Sequence, residues 1–210
     1  MSLLALQREE RTAAADAVLD AAARCFAERG FAATAIDDVA RTLGATKGRV
    51  YHHFASKTAL FLAVYRQGMA LDFAAIAPFA SEADPRERLR RMALAHAETI
   101  MRAQHYQRVI AEGVLVHRHG TLSPAERAEM AGLMRLRDDY EGVFRRAVEA
   151  VTGRDGALET KSFLAVLNSP VLWYSARDDA DAERAAIARE LTAFALAGLR
   201  GTGPEREDHP

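Results

Sequence analysis

The chain has a single cysteine, Cys25, so a disulfide between two of its own residues is excluded. Cys25 precedes Phe26 on a predicted apolar face, which indicates a small buried side chain rather than a nucleophile or metal ligand. The formal net charge is −1, so the molecule as a whole does not attract polyanions. These deficits exclude a disulfide scaffold and a uniformly basic nucleic-acid-binding protein.

Long apolar runs are also missing, since none approaches the roughly 20 residues that a transmembrane helix needs. The stretch from Leu3 to Leu6 is too short for a signal-peptide core and is followed by charged residues. We therefore expect a cytoplasmic protein without a membrane partner.

Catalytic signatures are absent from the sequence: it has no H-E-x-x-H, no G-x-S-x-G and no phosphate-binding glycine loop. His117 and His119 are two residues apart and would point to different sides of a helix. We expect no enzymatic activity, no cofactor and no metal site, and a helical-bundle enzyme stays an alternative.

What the chain does contain is a globular composition, with 50% hydrophobic and 27% charged residues among 210. Alanine-rich stretches with few strand-forming clusters predict an all-α fold. Residues 1–10 are expected to form a mobile arm, and Pro170 is expected to kink or break a helix. N-cap signals and glycine stops predict helices at about 12–29, 35–54 (two short helices), 57–80, 85–103, 105–118, 124–151, 157–175 and 181–199.

Two short helices joined by a tight turn are predicted near residues 35–54. The i, i+3, i+4, i+7 spacing of one apolar face is given by Ile36, Val39, Ala40 and Leu43. Thr34 precedes this helix as a candidate N-cap, Gly44 can take the positive φ that ends it, and Thr46 can cap the next. The pattern is that of a helix-turn-helix.

The second of these helices has an outward face of donors and flat rings, which is typical of a helix that enters the DNA major groove. Lys47 and Arg49 can donate to guanine, and Gly48 allows close approach to the bases. Thr34 and Lys57 would hold the DNA backbone on either side. The predicted DNA contacts are Thr34, Thr46, Lys47, Gly48, Arg49, Tyr51, His52, His53 and Lys57.

The segment resembles the N-terminal domain of TetR-family transcriptional regulators through the pattern T-x-x-D-[DV]-x-A-x-x-x-G-x-x-K-G-x-x-Y-x-H-F-x-S-K. Its positions are filled by Thr34, Asp37, Asp38, Ala40, Gly44, Lys47, Gly48, Tyr51, His53, Phe54, Ser56 and Lys57. The resemblance implies a three-helix DNA-binding domain at 1–56 and a larger helical ligand-binding and dimerisation domain at 57–201. Residues 202–210 are predicted to be a disordered tail.

A homodimer is predicted because the last two helices carry more apolar surface than one helix pair buries. The predicted interface consists of Phe163, Leu164, Leu167, Ile187, Leu191 and Phe194. The alternative is that these residues only close the core of the monomer.

The family resemblance also implies a small-molecule pocket in the larger domain. Candidate lining residues, each of which can instead pack a core, are His96, Met101, His105, Tyr106, Met130, Met134, Tyr140, Phe144, Trp173 and Tyr174. The run Asn168–Tyr174 resembles a segment of TetR-type regulators of lipid and steroid degradation, some of which respond to acyl-CoA thioesters.

The sequence therefore predicts a dimeric repressor that binds a palindromic operator in double-stranded DNA and is released by a small hydrophobic effector, such as an acyl-CoA or related lipid acid. The rival hypothesis is a helical small-molecule-binding or adaptor protein without DNA binding.

Overall fold

The computed structural model describes residues 3–175 and 181–200, and every regular element in these ranges is helical, as predicted. The helices are α1 (Leu3–Ala33), α2 (Ile36–Leu43), α3 (Lys47–His53), α4 (Lys57–Ile76), α5 (Pro85–Arg102), α6 (Gln104–His119), α7 (Pro124–Thr152), α8 (Ala157–Asn168), α9 (Pro170–Trp173) and α10 (Asp181–Arg200). A short 3₁₀ turn, Ala77–Phe79, follows α4.

One predicted helix boundary needs correction, and one expected break is confirmed. Helix α1 begins at Leu3, so the expected mobile arm is wrong for the described part of residues 1–10. The break expected at Pro170 is confirmed: α8 ends at Asn168 and Pro170 starts a separate helix, α9, because proline fits the first turn but not the interior of a helix. The predicted disordered tail at 202–210 lies outside the described residues.

Gly30 interrupts α1 with φ 78°, which confirms the predicted stop and leaves Phe31 beyond the break. Side-chain caps are formed at the predicted starts of α4, α5 and α7. Ser56 Oγ accepts from the Ala59 N–H at 3.0 Å, and Asp84 Oδ1 accepts from the Arg86 N–H at 3.1 Å. The start of α7 is a capping box: the Ser123 N–H donates to Glu126 at 2.9 Å and the Glu126 N–H to Ser123 Oγ at 3.3 Å.

The helices form two compact units. The first contains the chain up to Ala70 together with His105–Leu136, and the second contains Leu71–Gln104 together with the chain from Arg137 onward. Helices α4 and α7 therefore contribute residues to both.

The first unit is built around three aromatic rings. The ring centroid of Phe61 lies 5.3 Å from that of Phe26 and 4.9 Å from that of Phe31, both in edge arrangements. Helix α6 packs closely against this cluster at Gly113. Only a glycine fits there, since an added Cβ would overlap the buried ring of Tyr65. These contacts hold α1 against α4, and α1 packs in turn against α2.

The second unit has a core of four rings, His96, Tyr140, Phe144 and Phe163. The His96 ring centroid lies 5.6 Å from that of Tyr140 and 5.5 Å from that of Phe144. Helix α10 packs against both α5 and α8 in this unit.

The stretch Lys57–Phe79 is long and apolar enough by composition to cross a membrane, which corrects the expectation that no run approaches that length. Half of its most apolar 18-residue window is buried inside the protein, and the stretch carries Arg66, which pairs with Glu129. It also carries the buried Asp72. A core helix of a globular protein has these properties.

Candidate nucleic-acid interface

The helix-turn-helix is formed as the sequence predicts. Helix α2 buries Ile36, Val39 and Ala40 and ends at Gly44, whose φ of 66° and ψ of 33° lie in the left-handed region. The Ala45 N–H then donates to the Ala40 carbonyl at 2.9 Å, which closes the turn. Helix α3 begins directly after this turn, at Lys47.

Helix α3 turns a single large side chain, the fully buried Val50, into the unit. Five of its other six positions face outward: Lys47, Gly48, Arg49, Tyr51 and His52 are exposed, and Tyr51 keeps 46% of its surface. We call these five residues the α3 face. They are five of the nine residues predicted to contact DNA.

Thr46 and His53 lie at the two ends of α3. Thr46 occupies the N-cap position, but its hydroxyl makes no capping hydrogen bond within the described residues. The rings of His52 and His53 are 5.1 Å apart in an edge arrangement, and His53 is half-buried.

Gly48 is not required by the fold. A Cβ at this position would meet only the Thr46 hydroxyl, at 3.8 Å, and the position is exposed within a helix. Gly48 is the second residue of α3, where glycine costs less than the roughly 1 kcal/mol that it costs in a helix interior. Nothing inside the described protein crowds the site, so the position is open to an external partner.

The two aspartates of the first turn of α2 lie at the helix N-terminus, as predicted. Asp38 accepts from the Ala35 N–H at 3.0 Å and pairs with Arg29 at 2.9 Å and Arg41 at 3.1 Å. The hydrogen bond from the Ala35 N–H is the main reason that the pKa of Asp38 is lowered. Asp38 therefore anchors the start of α2.

Asp37 instead holds Lys47 of the α3 face, with 3.1 Å between Oδ2 and Nζ. This hydrogen bond raises the pKa of Lys47. Both side chains are about half exposed, so the pair is weak and Lys47 can leave it for a DNA acceptor.

Asp37→Asn is expected to tighten binding to random duplex DNA about fivefold at low salt, because it removes a charge that repels phosphate and releases Lys47. Fluorescence anisotropy with a labelled duplex measures this. Asp139→Asn, which removes an exposed charge of α7, is the control for net charge. An equal gain in both variants would contradict a specific role for the Asp37–Lys47 pair.

Lys57 and Thr34 are placed differently from the prediction. The Lys57 ammonium donates to the carbonyl oxygens of Phe31 (2.8 Å), Ala32 (3.3 Å) and Thr34 (3.0 Å), and lies 4.6 Å from the Phe31 ring centroid. Its donors are thus used at the α1–α2 junction, where they tie α4 to the helix-turn-helix.

Thr34 is buried, and its hydroxyl contacts the carbonyl oxygens of Gly30 (2.7 Å) and Cys25 (3.1 Å). The N-cap of α2 is Ala35, so the predicted cap at Thr34 is wrong. The contacts of Thr34 and Lys57 with DNA remain predictions, but both side chains already have partners within the protein.

One residue at the junction was not predicted. Glu112 of α6 accepts from the Phe31 N–H at 2.6 Å, just beyond the break at Gly30. Helices α4 and α6 therefore both hold the backbone between α1 and α2. No local sequence signal marks Glu112, because its partner is 81 positions away in the chain.

Two family models match the chain. The model described as "Bacterial regulatory proteins, tetR family" matches residues 18–64, which include α2 and α3. The model described as "Tetracyclin repressor-like, C-terminal domain" matches residues 82–199, more than half of the chain. The chain belongs to the TetR family.

Known TetR-family proteins are similar over different lengths. The HTH-type transcriptional repressor KstR2 of Mycobacterium tuberculosis is 37% identical over 94 residues, covering 44% of this chain and 46% of that protein. The structure of PfmR from Thermus thermophilus is 29% identical with a TM-score of 0.70, covering 89% and 98% of the two chains. AibR, crystallised with isovaleryl coenzyme A and operator DNA, has a TM-score of 0.67 at 23% identity, covering 86% and 97%.

The matched stretches span less than half the length of the curated relatives. The similarity to AibR, at its low identity, concerns the fold alone. These comparisons establish a TetR-family transcriptional regulator with a helix-turn-helix and a helical C-terminal region.

The predicted effector-binding residues of this TetR-family chain are divided between the units. His105, Tyr106, Met130 and Met134 belong to the first unit. The second unit contains His96, Met101, Tyr140, Phe144, Trp173 and Tyr174. Met101, Met130 and Tyr174 are buried, whereas Trp173 is 53% exposed. The Tyr106 hydroxyl donates to Asp20 at 2.5 Å.

His96 is the centre of a buried polar network in the second unit. Its Nε2 lies 3.0 Å from Asn168 Oδ1, and its Nδ1 lies 2.9 Å from the Tyr140 hydroxyl. Nε2–H donates to Asn168, and Nδ1 accepts from Tyr140, so the ring is neutral. Burial lowers the pKa of His96 to about 4, although the hydrogen bond with Asn168 opposes this. Burial, with a smaller effect of Asp72, raises the pKa of Tyr140.

This network predicts a loss of stability in mild acid. Between about pH 6.5 and about pH 4 the unfolded chain binds a proton on His96 that the folded chain does not, so the free energy of unfolding falls as the pH falls. The expected loss across this window is about 3 kcal/mol.

Urea unfolding at a series of pH values measures this loss. His105 titrates in the same direction, because its pKa is also lowered by burial, so the comparison with His96→Gln isolates His96. The variant should lose most of the pH dependence. An unchanged slope in His96→Gln would show that other groups are responsible.

The predicted dimer residues divide by exposure. Phe163, Leu164 and Leu167 are buried within the second unit, which favours the alternative that they pack its core, and their place in a dimer interface stays a prediction. Ile187 and Leu191 are half-buried, and Phe194 is 71% exposed.

An apolar groove of about 290 Å³ between α8 and α10 lies beside Phe194. Leu158, which was not predicted, is 75% exposed at this groove. We call this surface the α8–α10 groove.

Proposed function

We propose that the chain is a dimeric transcriptional repressor that binds a palindromic operator through the α3 face and is released by a small hydrophobic effector. The observation that supports DNA reading most strongly is the α3 face itself. It presents two cations, an aromatic hydroxyl and an uncrowded glycine on a helix held by one buried residue, Val50. A major groove accepts a helix with these groups, and the family membership supports the same use.

The proposals of repression and of release by an effector are supported by the names of similar proteins. KstR2 is named a transcriptional repressor, and AibR was crystallised with isovaleryl coenzyme A and operator DNA. Together with the Asn168–Tyr174 resemblance, these names support an acyl-CoA or related lipid acid as effector. We place the protein in the cytoplasm, where such a regulator meets DNA.

The division into a DNA-binding domain at 1–56 and an effector-binding and dimerisation domain at 57–201 remains a prediction about function. The compact units group the chain by packing, since α6 and the first half of α7 belong with the N-terminal helices.

Selection of bound fragments from genomic DNA tests the proposal. Purified full-length protein should enrich a palindromic site, and titration with a set of acyl-CoAs should lower the affinity for that site. Enrichment of no site by a folded dimer would favour the adaptor alternative. An operator whose affinity no acyl-CoA changes would remove this effector class while leaving DNA binding intact.

The dimer is expected to form through the α8–α10 groove. Two exposed apolar side chains, Leu158 and Phe194, line it, and exposed apolar patches of this kind mark interfaces. A pair of subunits would place two α3 faces on one palindrome.

Phe194→Glu is expected to convert the dimer to a monomer and weaken operator binding by at least about a hundredfold, because a buried unpaired carboxylate is costly and one half-site binds weakly. Sedimentation equilibrium and anisotropy measure the two effects. Leu115→Glu changes another exposed apolar residue, on α6, and serves as the control. A Phe194→Glu variant that stays dimeric would place the interface elsewhere.

A further inference from the structure

A second groove lies in the second unit on the side of α10 that faces α5, and it has a volume of about 480 Å³. We call it the α5–α10 groove. None of its residues lines the α8–α10 groove. Helix α5 contributes Arg90 and Leu94, and α10 contributes Arg189, Thr192, Ala193, Leu196 and Ala197.

The residues of α10 in this groove are ordered from polar to apolar. Arg189 and Thr192 are three positions apart and share one helix face. Ala193, Leu196 and Ala197 continue that face toward the end of the helix and add only apolar surface. The groove is therefore polar at one end of its α10 wall and apolar at the other.

The polar end carries positive charge. Arg189 is exposed and has no anionic partner among residues 3–175 and 181–200. Arg90, on the α5 wall, binds Glu87 through Nε at 2.7 Å and Nη2 at 2.6 Å, so its charge is already paired. A guanidinium without a partner beside an apolar groove can bind a carboxylate through paired N–H groups.

Thr192 supplies an independent sign of a missing partner. It is 3% exposed, and its hydroxyl has no hydrogen-bond partner in the part of the chain that the structure describes. Buried hydroxyls are nearly always hydrogen-bonded, and an unpaired one is costly. An oxygen atom of a bound molecule next to Arg189 would satisfy it.

We propose that the α5–α10 groove binds a medium-chain carboxylate, with its head group on Arg189 and Thr192 and its alkyl chain along Ala193, Leu196 and Leu94. From Arg189 to Ala197 α10 rises about 12 Å. This matches an extended chain of about ten carbon atoms with bonds of about 1.5 Å. Decanoate is therefore the probe of choice. The site is separate from DNA reading, and its occupancy does not depend on the repressor proposal.

Isothermal titration calorimetry of the full-length protein with decanoate, below the concentration at which micelles form and without DNA, tests the site. One saturable site per chain is expected. Arg189→Ala should weaken binding at least about tenfold by removing the charge-assisted hydrogen bonds. Ala193→Phe should do the same by filling the groove, and both positions are exposed, so the fold is expected to survive, which circular dichroism checks.

Arg135→Ala is the matched control, because it removes an exposed arginine of α7 that has no ion pair among the described residues. It should bind decanoate like the wild type. Decanol, which has the same chain without the charge, should bind at least about tenfold more weakly than decanoate.

Absence of saturable binding overturns the proposal. Unchanged binding in both Arg189→Ala and Ala193→Phe would show that decanoate binds elsewhere, and equal affinities for decanol and decanoate would show that the site does not recognise an anion. Failure of DNA binding would leave this result untouched, since the titration contains no DNA.

Discussion

Gly48→Leu is expected to stabilise the protein and at the same time to weaken operator binding at least about a hundredfold. The position is exposed and open, so leucine meets no neighbour that would resist it. Replacing a helix glycine by a good helix former contributes up to about 1 kcal/mol, which raises the melting temperature by about 2–4 °C. A leucine side chain on the α3 face would instead hold the helix away from the base edges and remove several contacts together.

Gly132→Leu is the matched control for this prediction. Gly132 is likewise a helical glycine, in α7, and a Cβ there would meet only the Arg135 Nη2 at 3.7 Å. This variant should gain stability and bind the operator like the wild type. Thermal unfolding and anisotropy on the selected operator measure both quantities. Wild-type affinity in Gly48→Leu would mean that the α3 face does not lie against DNA.

The second large effect is expected from Lys57→Ala. The ammonium has three carbonyl partners at the α1–α2 junction and lies over the Phe31 ring. Removing these charge-assisted hydrogen bonds and the cation–π contact should lower the free energy of unfolding by about 2 kcal/mol. Operator affinity should fall as well, because the helix-turn-helix loses its tie to α4.

The salt dependence of operator binding separates this role from a phosphate contact. If Lys57 acts through the junction, the slope of log affinity against log salt stays the same in Lys57→Ala. If it binds a phosphate, as the sequence alone predicted, the slope falls by about one and stability changes little. Urea unfolding and anisotropy at several salt concentrations provide both numbers, and Lys57→Arg tests whether the charge alone suffices.

The helix-turn-helix could be predicted almost completely, because its signals are local. Apolar spacing marks α2, and a glycine at position 44 indicates the positive φ that ends it. The caps at Ser56, Asp84 and Ser123 bond to backbone groups two or three residues away. Such interactions depend only on short stretches of sequence.

The roles of Thr34 and Lys57 could not be predicted in the same way. Lys57 bonds to carbonyls 23 to 26 positions earlier, and Glu112 bonds to an N–H 81 positions earlier. These partners meet only after the helices pack. From the sequence, a lysine beside a DNA-binding motif indicated a phosphate contact. In the folded chain, Lys57 instead donates to backbone carbonyl oxygens of the protein itself.

The prediction of the dimer and effector residues was limited by the same physical problem. Apolar periodicity identifies Phe163, Leu164 and Leu167 as buried but cannot say whether their own subunit or a partner buries them. Leu158 is exposed at the α8–α10 groove, although it lies in a stretch without a distinctive pattern. The predicted effector-binding residues likewise divide between the two units. Sequence alone could not separate pocket from core, because both use the same residue types.

Base reading by α3 is best tested by a base-by-base affinity profile. Each position of the selected operator is substituted, and affinities are measured for the wild type and for Lys47→Ala. We expect Lys47→Ala to lose discrimination, worth about 1–3 kcal/mol, at one symmetric pair of positions and to keep it elsewhere. A uniform loss at every position would show that Lys47 contacts only the DNA backbone, and a wild-type profile without any base preference would contradict base reading by this helix altogether.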